Sequence, residues 1–349
     1  MTPAEIAAQP QDETAPPPEM APFDIAQADW PLFGWIDDVR AGLARARDAN
    51  TPCVLATLYA VEGSAPRGPG SQMLFVPGPE GTLAAEGYFS GDCIEGDVAR
   101  HAAHVLAEGH PRHLHYGAGS PWIDIRLRCG GALHILLERV APDCPASAAL
   151  LENARTRTVC RWISDGQTRR VEAGYGPLLD CTPEPFRLAR RYDPPRRLIV
   201  SGGDPGALAA AQLAALSRFE TVLVRPDGPH GAAPIPVSQY RREDPATTIE
   251  RLGADRWTAF LGATHEDHLD LPGCLAALRA EAGYVAMIGA KSRAPARLAA
   301  LRAAGATPEQ LERLRLSPGI TGLGKSPWEV ATGILAEIMQ ALNPAAERA

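Results

Sequence analysis

Apolar residues at Trp35, Ile36, Val39 and Leu43 recur at helical spacing and predict a helix over 35–46. Cys53 to Tyr59 is a β-rich apolar run, and Gln72 to Val76 is another. Pro66, Gly68, Pro69 and Gly70 break the chain between them. Gly81 to Phe89 has the composition of a turn and a strand. Asp97 to Glu108 shows a helical pattern, and Ile123 to Leu127 and Leu133 to Glu138 show short strand patterns. Residues 31–181 are therefore expected to form a mixed α+β domain. Thr182 to Arg197 carries four prolines and five arginines, the composition of an interdomain linker.

The pattern changes after residue 197. Leu198-Ile199-Val200 is a buried-strand signal, followed by a glycine turn, an Ala/Leu-rich helix over 208–216 and a strand at Thr221 to Val224. Together these form one βαβ unit, which implies a parallel sheet with a right-handed crossover. Further strands are predicted at Thr258 to Leu261 and Tyr284 to Ile288. Further helices are predicted over 271–282, 294–304, 308–315 and 327–342. Residues 198–349 read as a Rossmann-like doubly wound domain, and the whole chain falls in the α/β class.

Composition changes the picture at one end. The chain has 349 residues, with 34 Lys+Arg against 41 Asp+Glu and a formal charge of −7. Residues 1–35 hold six acids, seven prolines and no Lys or Arg, so the remainder carries 35 acids against 34 bases. Residues 1–30 thus have the composition of a disordered acidic, Pro-rich tail, and the rest is near neutral. A near-neutral body lacks the basic face of a dedicated nucleic-acid binder. No apolar run approaches the roughly 20 residues of a membrane span, and no secretory signal opens the chain. Seven cysteines, an odd number spread thinly, read as reduced thiols. The expected location is the cytoplasm, and the expected oligomer is a homodimer, the commonest closed assembly.

Four segments carry candidate chemistry. Ser201-Gly202-Gly203-Asp204-Pro205-Gly206 lies between a strand and a helix, where a dinucleotide fingerprint sets glycines against a pyrophosphate. Gly202 and Gly203 are the candidate backbone contacts. Asp204 stands where a middle glycine is expected, and its carboxylate would repel phosphate. The second strand ends at Arg225 rather than at the acid that binds ribose hydroxyls. Arg225 would suit a 2′-phosphate, so NADP stays open beside a fold that has lost its nucleotide.

Gly319 to Ser326 fits G-x-x-x-x-G-K-[ST], but Leu314 to Pro318 before it is a poor central strand. Ser326, followed by Pro327 and Glu329, reads as the N-cap of a capping box rather than a magnesium ligand. Lys325 remains a point charge for some other phosphate at that helix start.

Cys93 sits in Gly91-Asp92-Cys93-Ile94-Glu95-Gly96 before a helix, and Cys129 opens Cys129-Gly130-Gly131 after a strand. A thiol near a helix N-terminus is acidified by the dipole, and the thiolate can bind a soft metal or carry sulfur. Glu95 would oppose that acidification or accept a proton. The plain alternative makes both cysteines small buried hydrophobes. Neither has a C-x-x-C partner, which argues against structural zinc. Histidines 101, 104, 110, 113 and 115 crowd one segment and read mostly as surface residues. Thr264 to His268, with Asp270, follows a strand and reads either as a metal site or as a polar loop with a helix cap.

Several of these segments together resemble the xanthine dehydrogenase accessory factor (XdhC/CoxI) family. They are Gly63-Ser64-Ala65-Pro66-Arg67 with Gly70 and Met73, Gly91 to Glu95, and Cys129-Gly130-Gly131. They continue with the turn around Gly202, Thr264-His265 with Asp270, Tyr284 to Gly289, and Gly319 to Glu337. The order is collinear over about residues 40–340. The resemblance implies an XdhC/CoxI-type first domain. It also implies a maturation factor that binds the molybdenum cofactor (molybdopterin) and protects it during sulfuration by a cysteine desulfurase. Such a factor inserts the cofactor into a molybdenum hydroxylase apo-enzyme of the xanthine dehydrogenase or aldehyde oxidase type. It places Cys93 and Cys129 near the molybdenum, Glu95 beside Cys93, and Arg67 as an anion contact. Asp92 and Asp204 stand where the family has glycine, and Arg225 where it often has an acid. Two other readings stay beside it: an NAD(P)-dependent oxidoreductase on the second domain, and an interaction scaffold without a small ligand.

Overall fold

The computed structural model describes residues 32–78, 81–120 and 127–343. The expected tail at 1–30 and most of the expected strand at Ile123 to Leu127 lie outside the described residues. The chain divides into two compact units between Pro194 and Pro195.

In the first unit, strands β1 (Cys53–Glu62), β2 (Gln72–Pro77), β3 (Leu83–Glu86), β4 (Arg112–Tyr116) and β5 (Ala132–Val140) form one antiparallel sheet. Its order is β3-β2-β1-β5-β4. The central β1 is buried on both faces, so it reads as a continuous apolar run. Helices α1 (Arg40–Asp48), α2 (Glu95–Glu108) and α3 (Pro145–Arg155) pack on this sheet. Val54, Ala56 and Leu58 face Val98, Ala102 and Val105 of α2. Cys53 and Leu55 face the opposite way, against Leu43 of α1, Leu150 of α3 and Trp162.

Trp162 belongs to a second sheet of β6 (Cys160–Ser164), β7 (Arg169–Ala173), β8 (Leu179–Thr182) and β9 (Arg187–Tyr192), in the order β7-β6-β9-β8. This corrects the linker expected at 182–197. Arg187–Tyr192, the middle of that stretch, is strand β9, paired with both β6 and β8, with Leu188 and Ala189 buried. Arg190 and Arg191 are not solvated spacers. Arg190 donates to the Gly70 carbonyl at 3.0 Å, and Arg191 donates to the Gly176 carbonyl at 2.8 Å. Tyr192 ties the two sheets together by donating to Gln72 Oε1 at 2.7 Å. The first helix also starts later than expected, at Arg40 rather than Trp35, after a short 3-10 turn at Leu32–Trp35.

The second unit is a six-stranded parallel sheet of β10 (Arg197–Ser201), β11 (Glu220–Val224), β12 (Gln239–Arg241), β13 (Thr258–Gly262), β14 (Tyr284–Met287) and β15 (Leu314–Leu316). The order β12-β11-β10-β13-β14-β15 reverses direction between β10 and β13, which makes that crevice the topological switch point. Helices α4 (Pro205–Leu216), α5 (Pro245–Leu252), α6 (Asp267–Arg279), α7 (Ala294–Ala303), α8 (Pro308–Glu312) and α9 (Pro327–Ala341) wind around it. One face packs against α4 and α9, the other against α5, α6 and α7. This is the doubly wound Rossmann-like arrangement. The helix expected over 308–315 stops at Glu312, and Leu314 to Leu316 join the sheet beside β14. The strand is an edge strand, so pairing with one neighbour overrides the local helical pattern.

Four of these helices share one kind of beginning. Helices α4, α5, α8 and α9 carry proline in the first turn and a side-chain cap before it, from Asp204, Asp244, Thr307 and Ser326. Proline loses no hydrogen bond there, because the first N–H groups of a helix have no partner within it.

Burial of β9 makes a measurable difference. Leu188 has 0 % exposure, so Leu188→Ala is expected to lower unfolding free energy by about 2–4 kcal/mol. Denaturant titration checks this, and a residue in a solvated linker would show almost no loss.

Candidate functional site

At one end of the strands of the first sheet lie the loops after β1, β3 and β4 and the loop before β5. Glycine makes close backbone approach possible there. A Cβ on Gly131 would stand 2.8 Å from the Glu62 carbonyl oxygen and would run into that of Ser64. A Cβ on Gly117 would run into the Gly131 carbonyl. Gly63 and Gly130 take φ of +70° and +73°, a backbone region that disfavours side chains. Two segments singled out from sequence, Gly63 to Arg67 and Cys129 to Gly131, are thus pressed together by backbone contact.

The third segment folds around a carboxylate. Glu95 is fully buried, and its Oε1 accepts from the N–H groups of Phe89 (2.9 Å), Ser90 (2.7 Å) and Gly91 (3.2 Å). Its Oε2 accepts from Asp92 N–H (2.8 Å), Ile94 N–H (3.2 Å) and the Ser90 hydroxyl (2.6 Å). Burial pushes the Glu95 carboxyl up. The hydrogen bonds from Ser90 and the backbone outweigh it and hold the group below the ordinary carboxylate range. Cys93 and Cys129 are free, half-buried thiols. Both pack with Ala65 against the core beneath α2.

Arg67 is engaged. Its guanidinium pairs with Asp37 at 2.8 Å and lies over the Tyr88 ring at 5.0 Å from the centroid. It therefore links the 63–67 loop to the segment leading into Ser90. Ser90, Tyr88 and Asp37 were not identified from sequence. A hydroxyl beside Gly91 in a turn before a helix was the available signal for Ser90; pairing in space alone reveals the other two. On the sheet face away from α2, His134 bonds Glu62 at 3.0 Å and stacks on His115 at 4.4 Å. Strand register brings that group together, and no local motif announces it. His101 and His104, expected on the surface, are buried. Burial pushes His101 down to about 4, with Asp97 and Arg112 beside it.

In the second unit the glycine turn crosses the end of β10 at the switch point. A Cβ on Gly202 would stand 3.2 Å from Ala207 Cβ and run into the Ala263 carbonyl. A Cβ on Gly203 would stand 2.8 Å from Arg225 Cδ, because the Arg225 side chain lies over it. Asp204 is the N-cap of α4, accepting from Ala207 N–H at 2.7 Å, and its other oxygen bonds His265 Nε2 at 3.0 Å. A carboxylate thus occupies the helix start where a pyrophosphate would rest.

The polar loop after β13 is divided among partners. Asp267 pairs with Arg293 (2.7 Å) and Arg297 (3.0 Å), and buried Asp270 accepts from Thr264 N–H at 3.3 Å. Among the described residues, no group of three His, Cys, Asp or Glu side chains is placed to hold a metal ion. At α9, Ser326 and Glu329 form the expected capping box, with Ser326 N–H donating to Glu329 at 2.9 Å. Lys325 is exposed beside it.

Residues 46–117 match the XdhC and CoxI family, and residues 198–338 match the XdhC Rossmann domain. The chain belongs to the XdhC/CoxI family. Over 293 residues it is 27% identical to the molybdenum cofactor insertion chaperone PaoD of Escherichia coli K12, covering 82% of each chain. It shares its fold with a solved Bacillus halodurans protein described as a xanthine dehydrogenase. That match has a TM-score of 0.66 and 23% identity, over 88% of this chain and 97% of the other. Within this XdhC/CoxI chain, Arg67, Cys93 and Glu95 fall in the matched 46–117 stretch, whereas Cys129 lies beyond it. Gly202, Gly203 and Lys325 fall in the matched Rossmann stretch.

Two substitutions test the loop geometry. Asp92 holds a φ of +87°, so Asp92→Gly is expected to stabilise the protein by about 1 kcal/mol. Gly131→Ala forces a backbone clash and is expected to destabilise it by about 2 kcal/mol or more. Thermal and denaturant unfolding of both variants measure the two signs.

Proposed function

We propose that this protein is a carrier that binds the molybdenum cofactor as cargo and inserts it into a molybdenum hydroxylase of the xanthine dehydrogenase or aldehyde oxidase type. The observation that carries this reading is the convergence of the Gly63–Arg67 and Cys129–Gly131 loops at one end of the first sheet's strands, with Cys93 packed on the same core cluster as Cys129 and Ala65. The relationship to PaoD, a molybdenum cofactor insertion chaperone, supports it. Thiolates are soft ligands and suit the metal end of such a cargo. Half-buried thiols shield that end from water and oxidants while leaving one side open to a sulfur donor, which in this reading is a cysteine desulfurase. Arg67 meets the anionic part of the cargo by exchanging Asp37 for it. That exchange is easy, because a surface ion pair is worth only about 0–1 kcal/mol. The carrier works in the cytoplasm as a homodimer.

Nicotinamide chemistry on the second unit is the weaker reading. Asp204 caps α4 with its carboxylate, and Arg225 covers Gly203.

Cargo binding tests the proposal. Cys93→Ala and Cys129→Ala are each expected to weaken binding of purified molybdenum cofactor by about tenfold, or ~1.4 kcal/mol, with unchanged melting temperature. Unchanged affinity in both variants would falsify the thiol assignment. In a thermal-shift screen, NAD and NADP are expected to leave the melting temperature where it is, and stabilisation by NADP would revive the second reading through Arg225.

A further inference from the structure

The N–H groups of residues 89–92 and 94 all point inward at one carboxylate, and that of Cys93 does not. Cys93 N–H donates instead to the Ser90 hydroxyl oxygen at 2.9 Å. A hydroxyl carries a single proton, and the Ser90 hydroxyl gives its proton to Glu95 Oε2 at 2.6 Å. The oxygen of Ser90 is thereby turned to accept from Cys93 and, at 3.2 Å, from Ile94. The path from Glu95 to Ser90 to Cys93 fixes the backbone from which the thiol projects. We propose that Glu95 is a positioning residue, which holds the Cys93 thiol in its presented orientation through Ser90 and never contacts the cargo itself.

The chemistry of the donor set makes a carboxylate necessary. Glu95 receives six donors and has none to give, which an ionised acid satisfies and an amide does not. A glutamine there would turn its NH2 group against N–H groups, leaving buried donors facing one another. Aspartate would be one methylene too short to span the loop. This assignment also fixes which part of a ligand the loop receives. With the N–H groups of residues 89–94 already spent on Glu95 and Ser90, those residues have no backbone donor to offer a phosphate. What the loop still offers is the half-buried Cys93 thiol beside the exposed Asp92 carboxylate, neither of which suits a phosphate, so it takes the metal end of the cargo. That last step rests on the carrier reading, and the positioning of Cys93 does not.

The full-length chain can be probed without cofactor, by timed alkylation with iodoacetamide and mass spectrometry of the Cys93 and Cys129 peptides. Cys129 serves as an internal control because its loop is held by Gly130 and Gly131 and makes no bond to Glu95. In Glu95→Gln, alkylation of Cys93 is expected to rise about tenfold through local opening, with Cys129 within about twofold of the parent. In Glu95→Ala, added acetate is expected to slow Cys93 again, and acetamide is not. Failure of acetate to slow it would overturn the requirement for a carboxylate. Equal Cys93 rates in the parent and Glu95→Gln would overturn the positioning role. If Cys129 also accelerates in Glu95→Gln, Ser90→Ala decides. It removes one link and is expected to raise the Cys93 rate severalfold alone, and no change there overturns the proposal. Should the alkylation effect hold while Cys93→Ala keeps full affinity for the molybdenum cofactor, the thiol-cargo reading falls and the positioning role stands.

Discussion

Six hydrogen-bond donors converge on the Glu95 carboxylate. A buried charge is tolerable only when it is fully hydrogen-bonded, and these bonds turn a costly group into the framework of a loop. The same bonds fix where α2 begins and where Cys93 lies. At the same end of the sheet, the glycine contacts at Gly117 and Gly131 do by exclusion what Glu95 does by attraction. They bring backbones so close that no side chain fits, and the Cys129 loop follows. The candidate site is therefore assembled by backbone groups, with the two thiols as passengers of known position.

Much of the fold could be read from the chain, because strongly buried strands announce themselves. β1, β10, β11, β13 and β14 carry continuous apolar runs, β5 a mainly apolar one, and all stand at or near their predicted positions. The second sheet of the first unit was illegible for the opposite reason. β7 and β8 are only partly buried, and β9 carries three arginines, of which Arg190 and Arg191 set their heads on carbonyls or an aromatic ring. A linker and such a strand have the same composition, and only their partners tell them apart.

At the site, the glycine-flanked turns point to Cys93, Cys129 and Glu95, the family resemblance points to Arg67, and what each does stays open. Glu95 is adjacent to a cysteine turn in sequence but aims away from the open side. Arg67 is a cation with an existing counter-ion in Asp37. The direction of a side chain is a three-dimensional fact, and a short motif does not contain it. In the second unit Asp204 shows the converse. Its identity already argued against a pyrophosphate contact, and the structure adds the mechanism, since the carboxylate caps the helix that would have received the phosphate.

The capped helix starts of α4, α5, α8 and α9 have a consequence for exchange. In many nucleotide-binding folds the ligand completes the helix terminus, so occupancy and folding are coupled and the empty protein is the less stable one. Here Asp204, Asp244, Thr307 and Ser326 complete those termini from within the chain. These helix starts are therefore ordered by the chain's own side chains, and none of a ligand's affinity is spent on forming them. A ligand arriving at one of these helix starts would exchange without a folding step there.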